Sequence, residues 1–344
     1  MILRDYERKE LQKELDAKKV QKIAILGLGN AGKTSIVKSV LYQFEALMSL
    51  APTKSVERTS IEFLGRELLI WDFGGQERYR QNYLNNPKKY FEGIRYIYYI
   101  VDSQDTKNLR ESMAYFLKTF EKAIEFSPNA KLYLFFHKID PEYSGSVDFT
   151  KVENEFLEEI LPKVQAKANN PPAIFHTSIH HPLSVISAFT QPMLSNEDIY
   201  ETLCKTIGQF CKENALNFGI LFTKNFFEIG NFTNPDHLQS NIKTLSAYLK
   251  EFDFSGFEGK FPQFTVGFNQ IYTKKFFITV GEEFPFYFCI GVNTIAVPKD
   301  IAVLLEKVED FTTNIKKVLI NSEIIRIGIL RTEKIVKTYY FDDF

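Results

Sequence analysis

The chain has 344 residues, 44% hydrophobic and 25% charged, with 42 basic and 43 acidic side chains and a net charge of −1. This is the profile of an ordinary globular protein, long enough for two domains with separate cores. It excludes a global field that would draw the chain to nucleic acid or anionic lipid. No apolar run approaches the ~20 residues that span a bilayer.

Residues 1–20 are charge-dense, with a thin apolar stripe at Leu3, Leu11 and Leu15, and predict a short solvated helix. The stripe is too weak for a helix that lies on a membrane. Ile2 and the Phe341-Asp342-Asp343-Phe344 ending give no expectation of N-myristoylation or prenylation, so no direct membrane anchor is expected. The three cysteines, Cys204, Cys211 and Cys289, form no C-x-x-C pair and predict buried thiols in a reducing compartment. The expected location is therefore cytoplasmic, with any membrane contact made through partners. The sequon at Asn231 is then a chance match. The frequent aromatics, 33 Phe and 17 Tyr, sit within strand-like runs and read as packing.

Over 21–194 short apolar runs alternate with helical stretches. Strands are expected at 23–26, 59–64, 67–71, 95–101, 131–136 and 173–175, with a hairpin turn at Gly65 and helices over 109–126 and 152–167. Such alternation predicts an α/β domain, a mostly parallel sheet with helices on both faces.

Five motifs in this region carry chemistry. Gly27-Leu28-Gly29-Asn30-Ala31-Gly32-Lys33-Thr34 is G-x-x-x-x-G-K-[ST], set between a strand and a helix. Its glycines let successive N–H groups wrap phosphate at a helix N-terminus, where Ser35 follows. Lys33 can bridge the β- and γ-phosphates, and the Thr34 hydroxyl can ligate Mg²⁺. Ala51-Pro52-Thr53 places a threonine on a loop that can close on Mg²⁺ and γ-phosphate. Ser49, Ser55 and Thr59 compete for that role, and position favours Thr53. Trp71-Asp72-Phe73-Gly74-Gly75-Gln76 follows a strand. Asp72 can reach Mg²⁺, the Gly75 N–H can approach a γ-phosphate, and Gln76 can orient the attacking water. His137-Lys138-Ile139-Asp140 ends another strand. A carboxylate at Asp140 can accept both guanine donors, which adenine does not offer, while Lys138 lays its apolar stem along the base. Phe175-His176-Thr177-Ser178-Ile179 closes the set, with a backbone N–H near Ile179 placed to meet guanine O6. His176, His180 and His181 lack the spacing and the acid of a helical zinc motif and are read as a polar turn.

The pattern changes near Pro192. Ser195-Asn196-Glu197-Asp198 resembles a capping box opening a helix to about 214. Strands at 218–223 and 226–229, a helix over 235–252, strands at 263–268, 274–280 and 284–292, and a helix over 299–319 follow. That is an α+β domain of order α-β-β-α-β-β-β-α over 195–320, with a tail over 321–344 holding one strand-like run at 324–330. The 263–268 strand and the apolar face Leu238, Ile242, Leu245 and Leu249 of the preceding helix are expected to mediate dimerisation. The alternative is that the 324–330 run caps the edge within one chain.

Together these motifs resemble the small GTPases. The phosphate loop, Asp72–Gln76, Pro52–Glu57 and Val101-Asp102-Ser103 are similar to the Arf group. His137 in place of the usual Asn, the 175–179 segment and a second domain are similar to the Rag/Gtr GTPases. The resemblance spans about 21–320. It implies a P-loop GTPase domain over 21–194, followed by a roadblock/longin-like dimerisation domain over 195–320. It implies GTP/GDP and Mg²⁺ as ligands, with Gly27, Gly29, Asn30, Ala31, Gly32, Lys33, Thr34, Ser35, Thr53, Gly75, His137, Lys138, Asp140, Ser178 and Ile179 around the nucleotide. Thr34, Thr53 and Asp72 would hold the metal, and Gln76, Lys33 and Thr53 would serve hydrolysis. It further implies slow intrinsic turnover, a homodimer or a heterodimer with a related GTPase, and regulation by an exchange factor, a GTPase-activating protein and effectors. A nucleotide-binding scaffold with little hydrolysis, and an Arf-like trafficking switch, are the alternatives.

Overall fold

The computed structural model describes residues 20–64, 66–140, 143, 145–167, 171–194, 199–251, 263–266, 269–280, 282–293 and 301–322. The expected helix over 1–20 (apart from Val20, which opens a strand), the Gly65 turn, the 195–198 cap and the 324–330 run lie outside them. The chain divides into two compact units, Met1–Ile61 with Arg66–Ala188, and Glu62–Gly65 with Phe189–Phe344.

The first unit holds a six-stranded sheet of β1 (Val20–Leu26), β2 (Val56–Phe63), β3 (Arg66–Phe73), β4 (Ile94–Asp102), β5 (Lys131–His137) and β6 (Ala173–Thr177), in the order β2-β3-β1-β4-β5-β6. The β3-β1-β4-β5-β6 pairs are parallel. The expected mixed periods therefore give the expected parallel sheet. β4 reads Ile-Arg-Tyr-Ile-Tyr-Tyr-Ile-Val-Asp and is buried along most of its length, as a central strand covered on both faces must be. Helix α1 (Lys33–Val40) follows β1, and α2 (Glu77–Asn85) and the short α3 (Pro87–Phe91) follow β3. α4 (Leu109–Phe126) packs Met113, Phe116, Phe120 and Ala123 into the core beside Tyr99 and Phe136. α5 (Val147–Gln165) starts five residues before the expected 152, because Ser146 caps it by accepting a hydrogen bond from Phe149 N at 3.1 Å.

Trp71, the single tryptophan of the chain, sits on β3 between cations of its neighbouring strands. Lys22 Nζ on β1 lies 3.6 Å from the ring centroid, and the Arg58 guanidinium carbon on β2 lies 4.1 Å from it. Lys22 also donates to the carbonyls of Tyr90 at 2.8 Å and Glu92 at 3.1 Å. Burial, with Arg58 adding to it, pushes the Lys22 ammonium down to about 8.

α6 (Pro182–Leu194) was not among the expected elements, and the division between the units falls inside it. In the second unit α7 (Ile199–Glu213), β7 (Phe218–Thr223), β8 (Glu228–Thr233), α8 (Leu238–Glu251), β9 (Gln263–Val266), β10 (Asn269–Val280), β11 (Glu282–Asn293) and α9 (Ile301–Asn321) follow the α-β-β-α-β-β-β-α order. The five strands form one sheet, ordered β8-β7-β11-β10-β9. β8 begins two residues later than expected because Phe226 takes a left-handed turn conformation. The expectation for α8 needs a correction. Ile242, Leu245 and Leu249 are 8%, 1% and 2% exposed and are spent in the unit's own core, and only Leu238 of that face stands exposed. Cys211 and Cys289 are buried, whereas Cys204 is half-buried. Among the described residues no helix is long and apolar enough to cross a membrane.

Candidate functional site

The site is built at the carboxyl ends of β1, β3, β4, β5 and β6. After β1 the chain turns through Gly27 at φ +146° and Asn30 at φ +61°, and reaches α1 through Gly32 at φ +93°. Gly27 and Gly32 are required by contact as well as by φ. A Cβ on Gly27 would lie 2.4 Å from Ile100 O, and one on Gly32 would lie 2.3 Å from Cδ2 of His137. No side chain caps the N-terminus of α1, so its first N–H groups remain open to an anion.

Lys33, the first residue of α1, is buried and folds its Nζ back onto Leu28 O at 2.6 Å. Burial pushes its ammonium down to about 8, with Asp72 opposing and Arg80 adding to the effect. Beside it three oxygens converge. Thr34 Oγ1 donates to Asp72 Oδ2 at 2.6 Å, Thr53 Oγ1 lies 2.7 Å from Thr34 Oγ1, and Thr53 Oγ1 lies 3.4 Å from Asp72 Oδ2. The other carboxylate oxygen, Asp72 Oδ1, is buried without a hydrogen-bond partner. Burial raises the Asp72 pKa, and the bond from Thr34 and the charge of Lys33 oppose that rise. A set of hard oxygens with one buried lone oxygen fits a small divalent cation.

Of the competing hydroxyls, only Thr53 enters this cluster. Ser55 instead gives its carbonyl to Gly74 N and to the Tyr83 hydroxyl, each at 2.7 Å, and so fastens the 53–55 loop to the segment after β3. Gly29, Asn30, Gly32, Lys33, Thr34, Ser35, Ala51, Pro52, Thr53, Gly75 and Gln76 line one cavity of about 180 Å³. Gly75 packs backbone to backbone on the phosphate loop, where a Cβ would lie 2.3–2.4 Å from atoms of Leu28 and Gly29. Gln76 stands exposed at the start of α2. Four residues on, Arg80 turns to Glu111 of α4 and lies over the Tyr115 ring.

The second half of the site comes from strand register. Parallel pairing sets Asp102 of β4 opposite His137 of β5, and His137 opposite Thr177 of β6. His137 is buried against Gly32, with Nδ1 2.9 Å from Thr177 Oγ1. Burial, aided by Lys138 and opposed by Asp140, pushes it down to about 4, so the ring is neutral at physiological pH. Lys138 adopts a left-handed φ of +64° and pairs with Asp102 Oδ2 at 2.6 Å. Asp140 takes a bond from Ser178 Oγ on Oδ1 at 2.6 Å and from Gln104 Nε2 on Oδ2 at 3.3 Å. Gln104 also donates to Lys138 O at 2.8 Å. Ser178 Oγ accepts from His180 N, and Ser178 N donates to Ser184 Oγ, so the turn that carries Ile179 is tied at both ends. His176 faces Glu153 at 2.6 Å. Among the described residues no group of three or more His, Cys, Asp or Glu side chains could hold a metal.

Sequence reasoning missed Gln104 and Ser184 altogether and gave Asp102 no role. Asp102 was marked only by its place at a strand end, and Gln104 by nothing local.

A glycine-rich phosphate loop between a central parallel strand and its helix, with Asp72 and Thr53 gathered beside it, is the fold and site of a P-loop small GTPase. The Gtr1/RagA G protein conserved region matches residues 22–246, and the chain belongs to that family. It is 26% identical over 247 residues to the Ras-related GTP-binding protein A of Dictyostelium discoideum, covering 68% of this chain and 78% of that protein. It is 25% identical over 252 residues to the GTP-binding protein GTR1 of Saccharomyces cerevisiae, covering 68% and 77%. Among solved structures, the Arl6 BBS3 small GTPase of Trypanosoma brucei with bound GppNp aligns at a TM-score of 0.41 and 19% identity, over 51% of this chain and 96% of that one.

Proposed function

We propose that this chain is a Rag/Gtr-type molecular switch that binds GTP and GDP with Mg²⁺ and hydrolyses GTP slowly. The observation that carries this reading is the convergence of Thr34, Thr53 and Asp72 oxygens beside buried Lys33, in the cavity that Gly75 and Gln76 also line. Thr34, Thr53 and Asp72 would hold Mg²⁺, which supplies charge neutralisation on the phosphates. Lys33 exchanges the Leu28 carbonyl for phosphate oxygen, and the open N–H groups of α1 receive the rest. Gln76 orients water for in-line attack on the γ-phosphorus; the bond to the β–γ bridging oxygen breaks and inorganic phosphate leaves. Among the described residues that line the cavity none is an arginine, and Arg80 is engaged with Glu111. Unassisted turnover is therefore on the order of 10⁻³ per second or less. Loss of the γ-phosphate releases Thr53 and the start of α2, and regulators and effectors read that change.

The test is single-turnover phosphate release from the purified chain with and without Mg²⁺. Phosphate released from GTP, Mg²⁺-dependent and absent with ATP, is expected. Tight GTP binding without release supports the scaffold alternative, and equal affinity for ATP and GTP overturns the reading.

The second unit acts in assembly, as a roadblock-type module pairing with an identical or related chain. β9 is the outermost described strand on its side of the sheet, and joining two such edges across a two-fold covers both. Since α8 spends its apolar face internally, the pairing rests on the strand edge and not on that helix. Light scattering of the full chain at roughly tens of micromolar distinguishes a homodimer from a monomer that awaits a different partner.

A further inference from the structure

The strand end that precedes the recognition loop holds two side chains with no role in the reading above. Asp102 closes β4, and two residues on Gln104 leaves the sheet, its backbone N–H bound to Asp102 Oδ1 at 3.0 Å. That bond ties the two residues together, and both side chains reach the loop opposite. Asp102 takes the Lys138 ammonium, and Gln104 spends its amide on the Lys138 carbonyl and on Asp140 Oδ2. Lys138 sits in left-handed backbone, where an L-residue is strained and persists only if its surroundings fix it, and the bond from Gln104 to its carbonyl is one such restraint.

The arrangement around Asp140 is more specific. An ionised carboxylate offers about four acceptor positions, two on each oxygen. Ser178 Oγ occupies one on Oδ1 and Gln104 Nε2 one on Oδ2. One position is left on each oxygen. Two open acceptors, one on each oxygen and with rotation arrested from both sides, match the adjacent ring N–H and amino donors of a 2-aminopurine with a 6-oxo group. A carboxylate free to turn would accept those two donors in fewer of its orientations.

We propose that Gln104 is a positioning residue for base selection, acting through Asp140 and the Lys138 backbone. It makes the pocket prefer a guanine nucleotide to one that lacks the 2-amino group. This rests on the guanine-nucleotide reading above. Because Gln104 is exposed, its replacement leaves the core intact.

The experiment compares the full chain with Gln104→Met, which keeps length and loses the donors, and with Gln104→Glu, which sets an acceptor against Asp140. Release rates of GDP, GTP and IDP are measured by displacement of a fluorescent analogue, and thermal midpoints check folding. In Gln104→Met, GDP and GTP should leave about tenfold faster, the worth of one hydrogen bond, and by equal factors because the change is at the base end. IDP should be affected less, so the GDP-over-IDP preference narrows, and Gln104→Glu should exceed Gln104→Met in each respect. Wild-type rates in Gln104→Met would show that only side-chain bulk matters and overturn the proposal. So would an equal loss for GDP and IDP, which marks a loop brace without base selection, or slower release, which marks Gln104 as a competitor of the base. A wild-type chain that binds neither GDP nor GTP sinks the guanine reading and this inference together.

Discussion

The two ends of the site are built on opposite principles. At the phosphate end the polar groups satisfy one another only in part. Lys33 is folded onto a loop carbonyl, Asp72 keeps one buried oxygen without a partner, and the N-terminus of α1 has no side-chain cap. At the base end nearly every group already has its partner: Lys138 has Asp102, His137 has Thr177, and Asp140 has Ser178 and Gln104. Buried groups left unmatched cost free energy, and a ligand that matches them recovers it. If the proposed reading holds, the phosphate end differs between the GTP and GDP states and the base end stays the same in both.

Substitutions at the two ends should therefore separate by nucleotide state. The largest effect is expected for Thr34→Asn, which damages the oxygen cluster. Affinity for GTP with Mg²⁺ should fall by more than about 100-fold, a direct ligand exceeding the effect of its supporting shell, and GDP should suffer less. Titration with and without Mg²⁺ measures it, and an equal loss for both nucleotides would erase the distinction between the ends. Asp140→Asn should weaken GTP and GDP alike by about 100-fold, the loss of two charge-assisted bonds, and shift preference toward xanthine nucleotides. A GTP-selective loss there breaks the comparison from the other side. Gln76→Leu should leave GTP affinity nearly intact and slow phosphate release about 10- to 100-fold, since only water placement is lost. Unchanged single-turnover rates would remove Gln76 from the mechanism.

The effect that is smallest at neutral pH, and grows only in acid, concerns His137. In the folded chain burial holds its pKa at about 4, whereas unfolded it titrates near 6.5. Between those values the unfolded state binds a proton that the folded state refuses. The stability associated with the neutral ring is therefore complete above about pH 6.5 and lost as pH falls toward 4, at about 1.4 kcal/mol per pH unit. His137→Asn should flatten that share of the acid dependence of a urea midpoint. An unchanged slope would show that the imidazole is not sequestered by the base end.

Much of this geometry was readable because it is local. The phosphate loop, Asp72 and Asp140 each stand at a strand end beside a turn, and the periodicities around them were sufficient to place a parallel sheet. What escaped depends on strands far apart in sequence. Gln104 reaches Asp140 only because β4 and β5 pair with Asp102 opposite His137. No spacing along the chain encodes that register. α6 escaped for a different reason: its polar face is only the uncharged Ser184, Ser187 and Gln191, and Pro192 stands inside it, so its helical period is faint in the sequence. The face of α8 was correctly seen as apolar and wrongly given to a partner. An amphipathic pattern reports that a face is buried, without saying in which chain.

The tryptophan on β3 has an optical consequence. Its indole is the chain's only one, it lies one residue before Asp72, and it is bracketed by an ammonium and a guanidinium from flanking strands. Indole emission responds to charges near the ring, so the colour and yield of this one fluorophore depend on where β2 holds Arg58. β2 leads directly out of the 53–55 loop that carries Thr53. A displacement of that loop large enough to shift Arg58 along β2 would change the emission of this one fluorophore, and a spectrum taken before and after GTP is converted to GDP tests whether it does.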